Sequence, residues 1–279
     1  WSRGAGYNSR LLEERAYREH FELEDRHWWF VGRRAVIRSL LGRADVPREA
    51  RILDAGCGTG RNLLELSGLG RVEGVDSSPD AIEFCRRRGL SAVTQARLDG
   101  LPFVDRSFDL IVMTDVLEHV EGERDALREL RRVAAPRARL LLTVPAYQWL
   151  WSQHDDEHHH VRRYTLARLR ASVRAAGWEP LLDTHFNSLL LAPIAVIRLA
   201  TRQRPPRDGR PDLELGPRAA NRALARLMGA EAALIARGVS LPAGVSIGMV
   251  CVPSGSRSAA ATAGDVELSA GAQGAGRAA

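Results

Sequence analysis

Three short stretches hold residues whose types and spacing suit chemistry. The first is Asp54-Ala55-Gly56-Cys57-Gly58-Thr59-Gly60. Glycines at alternate positions, behind an acid and an apolar run, make a turn whose backbone can pass close to a ligand. Asp76 lies 22 positions after Asp54. That is about the ~20-residue spacing of an acid that accepts hydrogen bonds from a ribose diol. The second stretch is Asp115-x-x-Glu118-His119, two carboxylates and an imidazole, donor types that suit a divalent cation. The third spans 145–164 and holds His154, Asp155, His159, His160, Arg162, Arg163 and Tyr164. A histidine beside an aspartate makes an oriented base. The two arginines suit a carboxylate or phosphate on an acceptor. The competing reading is a polar loop whose arginines pair with Asp155, Asp156 and Glu157.

These residues need a sheet to position them. Residues 51–54 read as a strand, 61–67 as a helix and 72–75 as a second strand. Ser78 as N-cap and Pro79 at the first helical position open a helix to 88. A short third strand is expected over 91–95. The continuous apolar run 108–113 suits a strand buried on both faces. Thr114 and Asp115 follow at its carboxyl end, where open α/β sheets bind ligands. A helix is expected from 116 to 133, then strands over 139–144, 178–186 and 244–252, with a helix at 166–176 capped by Thr165. The alternation predicts an α/β, doubly wound, seven-stranded Rossmann-like sheet. Upstream, 11–41 reads as a helix broken near 29–32.

Asp-Ala-Gly-Cys-Gly-Thr-Gly, then V-D-S-S-P-D-A-I-E-F-C, L-P-F-V-D-R-S-F-D-L-I-V and D-V-L-E-H-V resemble, in order and spacing, the class I S-adenosylmethionine-dependent methyltransferases. The resemblance covers roughly residues 48–186 and points to the small bacterial type 11 group, which shows a similar H-D-x-x-x-H-H-x-R-R-Y loop. It implies that the last strand is antiparallel. It implies S-adenosyl-L-methionine as cofactor, held by Asp54, Gly56, Cys57, Gly58, Gly60, Asp76, Ser77, Leu98 and Thr114. It implies His154, Asp155 and His160 as catalytic, and Trp28, Trp29, Tyr147, His159, Arg162, Arg163 and Tyr164 as acceptor-binding. The segment H-W-W-F-x-G-R-R implies a lid that also draws on Tyr17 and His27; ordinary packing of these aromatics is the alternative. Many class I members place an acid against the adenine amino group. That position holds Arg97 here; Asp99 reads as a solvated turn residue, with a shifted substitute for the acid as the alternative. In ubiquinone-type O-methyltransferases and small-RNA 2′-O-methyltransferases a similar acid-x-x-Glu-His stretch ligates a divalent metal, but Glu118-His119 recurs in metal-free members too, so no metal is expected at Asp115, Glu118 and His119.

The domain organisation expected is an N-terminal helical cap (1–47), a cofactor-binding core (48–187), a helical insertion (188–240), the last strand (241–253) and a disordered, Ala/Gly/Ser-rich tail (254–279). The net charge is +6, and all 40 basic residues are arginine, which reads as a coding bias more than a nucleic-acid footprint. No nucleic-acid recognition module is visible. Cys57, Cys85 and Cys251 show no metal or redox spacing and read as reduced thiols of a cytoplasmic protein. No apolar run reaches the ~20 residues that cross a bilayer. The short apolar helix at 188–200, with Arg198, Arg202 and Arg204, either covers the cleft or lies on a membrane surface. The expected activity is methyl transfer to a small-molecule or lipid-like acceptor at oxygen; the alternative is a non-catalytic cofactor-binding regulator.

Overall fold

The computed structural model describes residues 14–201 and 216–255. The expectations for the first residues, for Arg202 and Arg204, and for the tail from 256 lie outside the described residues. The strands are β1 (Ala50–Ala55), β2 (Gly70–Asp76), β3 (Val93–Gln95), β4 (Phe108–Thr114), β5 (Ala134–Pro145), β6 (Trp178–Phe186) and β7 (Ser246–Pro253). They form one sheet in the order β3-β2-β1-β4-β5-β7-β6. β1 to β5 pair in parallel, and β7 runs antiparallel between β5 and β6.

The helices are α1 (14–23), α2 (Trp28–Leu41), α3 (Arg61–Leu66), α4 (Pro79–Arg87), α5 (Glu123–Val133), α6 (Gln153–Glu157), α7 (Leu166–Ala175), α8 (Leu191–Thr201) and α9 (Arg218–Ala236). Alternation along the strands sorts the core into two halves. Ile52, Leu110, Val112, Leu141 and Val250 face α2 and α9, meeting Val36, Leu40, Met228 and Ile235. Their neighbours Leu53, Ile111, Met113, Leu140, Leu142 and Met249 face α5 and α7, meeting Leu127, Leu130, Leu169 and Val173. Helices on both faces fit the doubly wound fold expected.

The N-terminal break falls at 24–27 rather than 29–32. His27, in extended conformation, caps α2 by accepting from the Trp29 amide at 3.3 Å. The helix expected from 116 is split into a 3₁₀ turn (Leu117–His119) and α5. Ser78 sits at its N-cap position, but its hydroxyl makes no cap bond; its amide serves Asp76 instead. α9, within the expected insertion, packs directly on α2. A Cβ on Gly32 of α2 would lie 2.5 Å from the Met228 Cβ, so the two helices pack at glycine distance.

Candidate cofactor and acceptor site

The turn after β1 lies at the carboxyl end of the sheet. Gly56, Gly58 and Gly60 all have positive φ, +80°, +53° and +84°, where a side chain is strained. A Cβ at Gly56 would also strike Val116 at 2.4 Å, whereas one at Gly58 would enter open space. The turn is anchored by the Gly56 and Cys57 amides, which donate to the Val75 carbonyl at 2.7 and 3.0 Å. The Asp76 carboxylate accepts from the Gly58 and Ser78 amides, both at 2.9 Å. It therefore ties the glycine turn to the start of α4 while keeping lone pairs for a diol. Burial pushes its pKa up, and the backbone donors offset part of that rise.

Asp54 is fully buried at the end of β1, and both its carboxylate oxygens lack a hydrogen-bond partner. Desolvation, and less strongly the Asp76 charge, raise its pKa to about 8 against the pull of Arg33. A buried acid left this way fits a cationic ligand group. Thr114 accepts from Asn62 Nδ2 at 3.0 Å. Leu98 packs on the core edge. Asp99 is held by Arg97 through bonds of 2.7 and 3.0 Å in an exposed pair. Asp99 is thus an exposed, paired turn residue.

α1 and α2 form the facing wall. Glu24, in the turn between them, accepts from Thr59 Oγ1 at 2.6 Å and from Arg88, strapping that turn onto the glycine loop. Arg33 donates to Asp115, whose other oxygen accepts from Thr143 Oγ1 at 2.9 Å. Trp28 and Trp29 point elsewhere: Trp29 stacks on Phe186 at 5.9 Å, and both pack on the α2–α9 core. The aromatic lid expected from them is ordinary packing. The wall residues with chemistry are Arg33 and His20, the latter lying 6.0 Å from His158, ring to ring.

The loop after β5 brings the expected catalytic and acceptor residues together in part. Asp155 is fully buried. One oxygen accepts from His160 Nδ1 at 2.8 Å and from Arg163 Nε at 2.7 Å, the other from the Ser152 amide at 2.9 Å. Burial would raise its pKa, but the His160 bond and the Arg163 charge hold it well below the carboxylate range. Asp155 is thus paired with His160, not with the adjacent His154, whose ring lies tilted against His158 with centroids 4.3 Å apart. Arg163 is buried on Asp155 and the Ala146 carbonyl. Arg162 bonds Glu123 at 2.9 Å. Neither arginine is directed at an acceptor anion, because the carboxylates of Asp155 and Glu123 already take them; for Arg163 this is the competing pairing with Asp155. Tyr164 is likewise a core residue: fully buried, it donates to Glu123 at 2.6 Å. His159 is exposed. Tyr147 has φ +59°, hydrogen-bonds His185 Nε2 at 3.2 Å and stacks between His185 and Trp149 at 5.5 and 5.6 Å.

Residues 53–142 match the family model described as a methyltransferase domain, and the seven-stranded sheet with its antiparallel last strand is the class I methyltransferase fold. The chain is 34% identical over 124 residues to the demethylmenaquinone methyltransferase of Tropheryma whipplei, covering 43% of this chain and 48% of that one. It is 29% identical over 167 residues to the malonyl-[acyl-carrier protein] O-methyltransferase of Halorhodospira halophila, covering 54% and 57%. The chain thus spans about half the length of these curated relatives. In fold it is similar to a chain of the complex between the Haloferax volcanii Trm112 methyltransferase activator and a methyltransferase. There the TM-score is 0.58 and identity 19%, over 87% of this chain and 97% of that one.

The methyltransferase domain's residues fit its cofactor. The open space at Gly58 admits a ligand against the backbone. The unpartnered Asp54 carboxylate suits an ammonium, and Asp76 retains acceptor capacity for a ribose. Bound there, S-adenosylmethionine supplies a methyl group already activated by the sulfonium charge. Sequence reading missed Glu24, Arg33, Asn62 and His185. Arg33 stands in the H-W-W-F-x-G-R-R segment, but no spacing reveals a partner 82 positions away.

Proposed function

We propose that the protein transfers the methyl group of S-adenosylmethionine to a small-molecule or lipid-like acceptor, at oxygen. The observation that carries this reading is the buried, partnerless Asp54 carboxylate at the head of the glycine turn. The names of the two relatives support a small acceptor. Displacement at a sulfonium needs alignment of acceptor and methyl group and, for a hydroxyl acceptor, removal of a proton. We assign cofactor binding to Asp54, Gly56, Cys57, Gly58, Gly60, Asp76, Ser77 and Thr114, and proton handling to the Asp155–His160 pair with His154 beside it. Tyr147 and Trp149 offer ring faces to an acceptor. The test is transfer of labelled methyl from S-adenosylmethionine by the full chain to a panel of quinols, phenols and acyl-thioester carboxylates. Label in one acceptor class supports the reading. Cofactor binding with no transfer to any of them supports the second one, a non-catalytic binder, which the Arg97–Asp99 pair favours.

We further propose that α8 lies on a membrane surface. Val196 is 66% and Ile197 61% exposed, and such a face suits an interface. Arg198 turns inward to the Leu150 carbonyl at 2.8 Å and is not a headgroup ligand. Among the described residues no helix is long and apolar enough to cross a membrane. Cosedimentation with anionic vesicles, lost in Val196→Glu, is the expected result. No sedimentation of the natural chain at low salt refutes it.

A further inference from the structure

The chain leaving β5 turns abruptly at Tyr147. Its φ of +59° and ψ of 112° lie outside the basins open to a large side chain. The turn is fixed from both ends. The Tyr147 amide donates to the Tyr164 carbonyl at 2.7 Å, and the Tyr147 carbonyl accepts from the Leu150 amide at 3.0 Å. Strain of this kind persists where surrounding bonds over-determine it, and it gathers at functional sites. Here it stands the tyrosine at the carboxyl end of the sheet, where open α/β sheets bind ligands, beside His185 near the end of β6.

The hydrogen bonds of this pair have a fixed direction. His185 Nδ1 meets the Leu241 carbonyl at 3.3 Å. A carbonyl only accepts, so Nδ1 carries the hydrogen and Nε2 holds the lone pair. Burial lowers the His185 pKa, by more than the Leu241 bond and the Asp183 charge raise it, so the ring is neutral at pH 7. The Tyr147 hydroxyl, 3.2 Å from Nε2, therefore donates to it. Its one hydrogen is committed, and its oxygen offers only lone pairs to anything else. An O–H of a ligand fits that oxygen. A carboxylate, itself only an acceptor, meets it with no hydrogen between the two. Three arginines that could offset this are engaged: Arg162 on Glu123, Arg163 on Asp155 and Arg198 on the Leu150 carbonyl. Trp149, 48% exposed, stacks on Tyr147 at 5.6 Å and gives the oxygen an aromatic neighbour open to solvent.

We propose that Tyr147, its own hydrogen held by His185, sets the class of methyl acceptor by receiving a hydroxyl hydrogen bond from it. Resting on the methyl-transfer reading, this narrows the acceptor to neutral hydroxyl compounds on an apolar or aromatic frame, such as phenols and quinols, and turns carboxylates away. Tyr147 is the specificity-determining contact. His185 is a positioning residue, which acts by taking the tyrosine's hydrogen. Proton removal remains assigned to the Asp155–His160 pair.

The test titrates the full chain with two planar probes of one shape, 2-naphthol and 2-naphthoate, and measures S-adenosylhomocysteine binding in the same samples. The natural chain should bind 2-naphthol about tenfold more tightly than 2-naphthoate. Tyr147→Phe keeps the ring and removes the oxygen, so most of that preference should vanish. His185→Phe frees the tyrosine's hydrogen, while the Leu241 carbonyl keeps the backbone amide of position 185, 3.1 Å away in the natural chain. 2-Naphthoate should then bind about threefold more tightly than it does to the natural chain, and adding Tyr147→Phe should abolish the gain. A merely structural role for His185 would not strengthen binding of the excluded probe. A preference that survives Tyr147→Phe, or no gain for 2-naphthoate in a folded His185→Phe chain, overturns the proposal. If His185→Phe fails to fold, Tyr147→Phe decides alone. No binding of 2-naphthol by the natural chain overturns the proposal too, and S-adenosylhomocysteine binding in those samples leaves the methyl-transfer reading standing. A preference that follows Tyr147 in a chain that does not bind S-adenosylhomocysteine upholds the hydroxyl subsite and removes only its use in methyl transfer.

Discussion

Asp54→Asn should stabilise the unliganded protein, and the gain should grow with pH. The folded-state pKa of Asp54 is raised from 3.8 to about 8. The unfolded chain therefore releases this proton first as pH rises. The acid's contribution to stability is complete below about pH 4 and is lost progressively up to pH 8. Each unit is worth ~1.4 kcal/mol, so the ceiling on the cost is about 4 kcal/mol at pH 7 and about 1.6 kcal/mol at pH 5. Relaxation of the dipoles around the buried acid lowers both figures. Half of the pH 7 value, about 2 kcal/mol, would raise Tm by ~4–8 °C in a chain of this size. Asparagine keeps the shape and removes the ionisation, so the variant should melt higher than the natural chain at pH 7 and little differently at pH 5. With S-adenosylhomocysteine the order should reverse, because the variant lacks the charge that meets the ligand's ammonium. Thermal unfolding of both chains at pH 5, 7 and 8, with and without ligand, reads all of this. A variant no more stable than the natural chain, or a difference flat in pH, would refute the assignment of Asp54 as a strained acid held for a cation.

Other substitutions separate structure from chemistry. Tyr164→Phe removes a buried hydroxyl from Glu123 and should cost about 1.5–3 kcal/mol in denaturant unfolding without altering cofactor affinity; lost activity at unchanged stability would restore an acceptor role. Glu24→Gln breaks the buried pair with Arg88, with an expected cost of ~3 kcal/mol and faster proteolysis of α1, and unchanged protection would deny the strap. Gly32→Ala forces α2 off α9 and should cost ~1–3 kcal/mol, with no effect on melting contradicting the close approach.

The sheet and its cradle were legible because they rest on local signals. Apolar runs, alternating glycines and acids at strand ends report the conformation of their own neighbourhood, and β1 to β7 stand within a few residues of expectation except β5. That strand begins at Ala134 because its start pairs irregularly with Phe108, a bulge that accommodates Pro136. The partners of charged residues were not legible. In a chain with 40 arginines, every arginine near an acid reads alike. Only the fold decides that Arg163 takes Asp155, Arg162 takes Glu123 and Arg33 takes Asp115. The Trp28-Trp29 pair resembled a lid, yet Phe186 and α9, distant in sequence, supply the surface it packs on. The Tyr147–His185 pair likewise joins residues 38 positions apart.

The most direct test of the account is isothermal titration of the full chain with S-adenosylhomocysteine, set beside the same titration with a nicotinamide dinucleotide. Saturable binding of one S-adenosylhomocysteine per chain is predicted, with stabilisation of ~2.7 kcal/mol at a hundredfold excess over Kd and no response to the dinucleotide. Binding of the dinucleotide with no heat from S-adenosylhomocysteine would contradict the cofactor assignment on which the whole reading stands.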